Sequence, residues 1–146
     1  MITPEKRERP AIVDIVVDAS VVLKWFVPED DSEAVARFLC PLFRFHAPEL
    51  LVAEVGQALW KKVRKRRELE AEEAERIVAA FASLPIELYS LGSLLEPAFE
   101  IAATTGHAFC DSFYLALGRM LGYTFVTANQ RLFHALQKSR LAGIIH

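Results

Sequence analysis

The chain has 146 residues, 53% of them hydrophobic, a mean hydropathy of +0.23 and a formal net charge of −2. That length suits one domain with a real core, and no apolar run approaches the roughly 20 residues of a membrane span. The slightly acidic balance excludes bulk attraction to nucleic acid, so any binding of that kind must use a local patch.

The apolar surplus points to a buried sheet, or to a subunit or partner interface. Residues 1–10, MITPEKRERP, form a charged N-terminal extension without the long apolar stretch of a signal peptide, so the expected location is cytoplasmic. Cys40 and Cys110 make no CxxC pair and read as reduced core thiols.

From residue 11 onward, strands and helices alternate. Val13 to Asp18 is a short β-branched strand, and Ser20 is the expected N-cap of a helix through Val21, Trp25 and Phe26, which Pro28 ends. Asp31 to Cys40 reads as a second short helix, capped by Asp30, Asp31 or Ser32. Phe45-His46-Ala47 is a strand stopped by Pro48. From Pro48 to about Arg66 the pattern is helical, with Leu51, Val55, Leu59 and Val63 on one stripe. Glu70 to Leu84 is another helix, with Ile77, Phe81 and Leu84 on its apolar face. A strand through Ile86, Leu88 and Tyr89 follows. Leu94 to Thr105 is helical and closed by Gly106, and Asp111 to Leu121 is helical and stopped by Gly122. Thr124 to Thr127 is the next strand, Arg131 to Lys138 a last helix, and Gly143-Ile144-Ile145 an edge strand. Short strands apolar on both faces, alternating with helices, argue for a parallel sheet covered on both sides.

That layout gives meaning to four dispersed polar positions. Asp18 and Asn129 end predicted strands, while Glu54 and Asp111 fall in the first turns of predicted helices. In open parallel sheets both kinds of position face the carboxyl edge, where ligands bind at a topological switch point. Several acids meeting in apolar surroundings require a cation, and oxygen donors suit Mg²⁺ or Mn²⁺ rather than zinc. Such centres typically hydrolyse phosphodiesters, commonly with two ions about 4 Å apart. Each residue also has a plainer role: Asp18 and Asp111 as helix caps or first-turn acids, Glu54 as a solvated helix residue. Asp14 reads as a strand-edge residue.

Four segments then resemble a known family. Val16-Val17-Asp18-Ala19-Ser20-Val21-Val22-Leu23-Lys24-Trp25-Phe26, Ala47-Pro48-Glu49-Leu50-Leu51-Val52-Ala53-Glu54-Val55, Cys110-Asp111-Ser112-Phe113-Tyr114-Leu115-Ala116-Leu117 and Phe125-Val126-Thr127-Ala128-Asn129-Gln130-Arg131-Leu132 look like the PIN domain. They are especially similar to the VapC-type toxins of bacterial and archaeal toxin–antitoxin pairs. The resemblance runs in order over nearly the whole chain. It implies a three-layer α/β/α sandwich around a short parallel sheet over residues 11–146. It also implies a Mg²⁺- or Mn²⁺-dependent endoribonuclease, often a homodimer and inhibited by a small antitoxin. By that match Asp18, Glu54 and Asp111 are metal ligands, and Ser20 and Thr127 are polar neighbours able to hold a water or a phosphate. Asn129 stands where the family usually carries an acid, which removes one negative charge and predicts weaker occupancy of one metal.

Other signals are less specific. Lys61, Lys62, Arg64, Lys65, Arg66 and Arg67 form a dense basic run near a helix end, readable as a path for an RNA backbone or as a solvated helix terminus. His46, His107, His134 and His146 lack metal-ligand spacing and read as structural, while Trp25, Phe26 and Trp60 read as core or interface. Two classes of function stay open: a metal-dependent ribonuclease, and a non-catalytic PIN-like module binding RNA or a partner. A structure-specific DNA nuclease is a weaker third.

Overall fold

Five parallel strands organise the chain: β1 (Val13–Val17), β2 (Phe43–Pro48), β3 (Ile86–Tyr89), β4 (Thr124–Val126) and the two-residue β5 (Ile144–Ile145). Their spatial order is β3-β2-β1-β4-β5. The computed structural model describes residues 11–27, 36 and 38–137, and the backbone of 144–145. The N-terminal extension and most of the helix expected between Asp31 and Cys40 lie outside the described residues.

Six helices are described: α1 (Ala19–Phe26), α2 (Leu50–Arg64), α3 (Ala71–Ala82), α4 (Leu91–Thr105), α5 (Phe109–Leu121) and α6 (Gln130–Gln137). Right-handed crossovers put α1 to α3 on one face of the sheet and α4 to α6 on the other. The packing agrees: α1 touches α2 and α2 touches α3, while α4 runs along α5, which lies over β1, β2 and β4. The result is the three-layer α/β/α sandwich that the sequence implied.

β1 and β4 are neighbours although more than a hundred residues apart, with Val17 beside Val126. On either side of that pair the chain winds outward in opposite directions, so a crevice opens at the carboxyl ends of β1 and β4. The core beneath is aliphatic and aromatic, with Val16, Val17, Val21, Val22, Leu51, Val55, Ala98, Ala116 and Leu117 buried. The stripe expected on α2 is buried at Leu51, Val55 and Leu59.

Several boundaries shifted for identifiable reasons. β2 takes in Pro48, which needs no donor at its last rung beside Tyr89. α4 starts three residues earlier than its apolar pattern suggested, leaving Pro97 in its second turn. Gly106 (φ 76°) and Gly122 (φ 69°) close α4 and α5 in the left-handed region, as glycine there should. The two cysteines are unbridged, but Cys110 is exposed and Cys40 partly so, which corrects their expected place in the core. Trp60 is likewise exposed, not core. Among the described residues no helix is long and apolar enough to cross a membrane.

His46 is structural, as expected, and it gives Asp14 more than an edge role. The ring of His46 lies between Asp14 Oδ1 and the Tyr89 hydroxyl, each 2.8 Å away, and stacks on Tyr123 at 4.8 Å. It therefore ties β1, β2 and β3 together through side chains in addition to the ladder. Replacing His46 with Leu should leave the half-buried Asp14 carboxylate with only the exposed Arg44 at 3.5 Å and cost about 1–3 kcal/mol. Chemical denaturation of His46→Leu measures this, and an unchanged midpoint would contradict the role.

Candidate active site

Asp18 is the first residue beyond β1 and sits in extended conformation (φ −106°, ψ 178°), which turns its side chain back over the start of α1. Its Oδ1 accepts from the Val21 backbone N–H at 3.2 Å, so Asp18, not the expected Ser20, is the N-cap of α1. A carboxylate reaches the orphan donors of the first turn and meets the positive end of the helix dipole, so it takes the cap. Ser20 is thereby free to act elsewhere. Its hydroxyl donates to Asp18 Oδ1 at 2.5 Å, and its oxygen accepts from Ala128 N at 2.9 Å.

Thr127 completes the arrangement from the other side of the switch point. It follows β4 directly, is buried, and donates to Asp18 Oδ2 at 2.5 Å. Its oxygen also accepts from Asn129 N at 3.1 Å. Ser20 and Thr127 thus clasp one carboxylate and, through it, join the β1–α1 and β4–α6 turns.

Glu54 comes from the second turn of α2 and Asp111 from the first turn of α5, one from each helical layer. The Tyr114 hydroxyl, one turn beyond Asp111 on α5, donates to Glu54 Oε1 at 2.5 Å and so bridges the layers. Tyr114 is nearly fully buried and was missed at the sequence level. The available signal was a hydroxyl three residues after an acid, in a helix otherwise built from Phe, Leu and Ala.

Asp18 feels the charge of Asp111, and Glu54 feels the charges of both. Burial raises the Asp18 carboxyl above its ordinary range; hydrogen bonds from Ser20, Thr127 and Val21 oppose this, and the charge of Asp111 adds to the rise. Burial also raises Glu54; Tyr114 opposes this, while Asp18 and Asp111 add to it. Asp111 is raised by burial and partly offset by His107, which gives that histidine an electrostatic connection to the site. Tyr114 is pushed strongly up by burial and by Glu54, so it stays a protonated donor.

The donor set fits a hard divalent cation. It consists of carboxylate oxygens, drawn from separate elements, whose burial and mutual repulsion a positive ion would offset. Among the described residues no group of three or more His, Cys, Asp or Glu side chains closes into a metal cluster, so the acids interact without forming a finished cage. Asn129 is placed at this edge, but its Oδ1 accepts from the Leu132 N–H at 3.2 Å and caps α6.

Comparison with known proteins follows the same lines. The profile of the PIN domain family matches residues 15–138. The chain is 32% identical over 121 residues to Ribonuclease VapC3 of Pyrobaculum aerophilum, a match covering 81% of this chain and 91% of that protein. A toxin–antitoxin complex from Klebsiella pneumoniae superposes with a TM-score of 0.63 at 10% identity, covering 90% of this chain and 96% of that one. The sarcin–ricin loop cleaving toxin VapC20 of Mycobacterium tuberculosis gives 0.60 at 18% identity, covering 77% of this chain and 86% of that one.

Two outcomes test this geometry. A carboxyl raised in the folded state stabilises the fold when protonated, and that contribution is lost as pH rises through the raised value. Asp18→Asn removes the charge and keeps the acceptor for Ser20 and Val21, while the Thr127 hydroxyl turns to accept from the amide. It should therefore raise the melting temperature of metal-free protein near pH 7.5, by roughly 2–4 °C per kcal/mol released. The gain should shrink as pH falls and Asp18 itself becomes protonated; a lower melting temperature at pH 7.5 would contradict this. Tyr114→Phe, which removes only the hydroxyl, should loosen Glu54 and weaken Mn²⁺ binding several-fold by calorimetry, and equal affinity would remove Tyr114 from the site.

The order of its motifs, the sheet they assemble and the extent of these matches place the chain in the PIN domain family.

Proposed function

We propose that this protein is a Mg²⁺- or Mn²⁺-dependent endoribonuclease, the toxin of a toxin–antitoxin pair. The reading is carried by Asp18 at the carboxyl end of β1, held by Ser20 and Thr127, with the charge of Asp111 felt by Asp18 and the charges of both felt by Glu54. The similarity to VapC-named ribonucleases supports RNA as the substrate.

A bound divalent ion supplies an activated water and positive charge for the phosphate. Asp18 is the most rigid ligand, since Ser20, Val21 and Thr127 fix both of its oxygens. Glu54 is oriented by Tyr114 and keeps one oxygen free of that bond. Asp111 is half-exposed at the mouth of the crevice, where a ligand can approach. Asn129 serves as the cap of α6 and adds no charge, so the centre rests on three acids. Ser20 and Thr127 are committed to Asp18 and act as positioning residues.

An antitoxin protein and a second copy of the chain are the expected partners, in the cytoplasm. Self-association is supported by Phe99, which is 64% exposed and meets the likewise exposed Phe109 edge-to-face where α4 meets α5.

The Asn129 substitution favours one alternative, a binding module that does not cut. Metal-stripped protein should regain cleavage of single-stranded RNA on addition of Mn²⁺ or Mg²⁺. Asp18→Asn or Asp111→Asn should each lower that rate by at least about a hundredfold, the scale on which catalytic groups act. Saturable RNA binding without cleavage in either metal would favour the binding module, and cleavage surviving both substitutions would sink this site.

A further inference from the structure

The basic run at the end of α2 divides in the fold. Lys62 is buried and pairs with Glu68 at 3.0 Å, closing the turn into α3. Arg64 lies over the Trp60 ring at 5.6 Å. Lys61 instead lines an open groove of about 490 Å³ with Ala53, Glu54, Gln57 and Ala58. Lys65 continues that line, since it keeps helical geometry (φ −95°, ψ −45°) beyond the last turn. At 3.6 residues per turn Glu54, Gln57, Lys61 and Lys65 share one stripe, with the lysines about 10 and 16 Å along the axis from Glu54. Both lysines are exposed, and among the described residues neither has an ion-pair partner.

We propose that this stripe is a track for the phosphate backbone of single-stranded RNA, leading from the acid site at Glu54 along α2 to Lys61 and Lys65. A bare trio of carboxylates repels a polyanion, and a net charge of −2 provides no general attraction. Lys61 on the groove that Glu54 also lines, with Lys65 one turn further along α2, supplies it locally, and the small side chains of Ala53 and Ala58 leave the strand room. The track rests on the ribonuclease reading for its direction, the Glu54 end being the end at which the strand is cut.

The test uses full-length Asp18→Asn protein and a fluorescein-labelled oligouridylate of a dozen nucleotides, with anisotropy followed across a salt titration. Lys61→Ala and Lys65→Ala should each weaken binding a few-fold and reduce the salt slope by about 0.7, and the double variant by about twice that. Arg119→Ala, which removes a surface cation at the far end of α5, should leave the slope unchanged. A double variant with the parent slope, or no oligouridylate binding at all, overturns the track. So does an oligoglutamate that binds with the same dependence on both lysines, since the groove would then receive an acidic polypeptide. Cleavage by the wild-type chain is assayed in parallel. Cleavage with no change of slope fails the track alone, whereas a change of slope without cleavage upholds the track and fails the ribonuclease reading.

Discussion

Asp18 is held where an ionised carboxylate is costly, and the site is built around meeting that cost. A buried charge needs donors or a counter-ion. Three donors come from Ser20, Val21 and Thr127, and they draw the β1–α1 and β4–α6 turns into contact across the switch point. What they leave unmet is net negative charge, increased by Glu54 and Asp111. The fold therefore carries an electrostatic strain that the proposed divalent ion would relieve. Its stability and its proposed chemistry are opposed in the metal-free state.

The bland and the functional readings of Asp18 coexist in one side chain. Oδ1 caps α1 while Oδ2 is held by Thr127, so the helix dipole and the proposed catalytic edge share the same residue. Asn129 does the corresponding capping for α6, at the position where an acid was expected. Capping requires only an accepting oxygen, so the local fold survives the change from acid to amide. The charge does not, so in the proposed site a cation would rest on Asp18, Glu54 and Asp111.

Much of this was legible in the chain. Periodicity located the alternating elements, and the rule that ligands bind at carboxyl edges singled out Asp18 and its neighbours at the end of β1, where Ser20 and Thr127 hold it. The less legible parts depended on relations across layers. Tyr114 lies in a helix whose apolar neighbours make it look like core, and only its reach to Glu54 on α2 gives the hydroxyl a purpose. Ser20 was an expected cap, and sequence cannot show that its hydroxyl would instead be engaged by Asp18 and Ala128 N. The basic run read as uniform, yet Lys62 is buried, Arg64 lies over Trp60, and Lys61 lines the groove with Lys65 one turn beyond it. Cys110 was taken for core on residue type alone, although it lies at the exposed start of α5, beside Asp111.

The central claim is that three acids from separate elements form one cation-binding centre. Titration of Mn²⁺ into metal-stripped protein, followed by electron paramagnetic resonance, tests it most directly. Saturable binding that is lost in Asp18→Asn, and lost or strongly weakened in Glu54→Gln and Asp111→Asn, is the predicted result. Binding that survives all three substitutions, or no saturable binding in the wild-type chain, would contradict it.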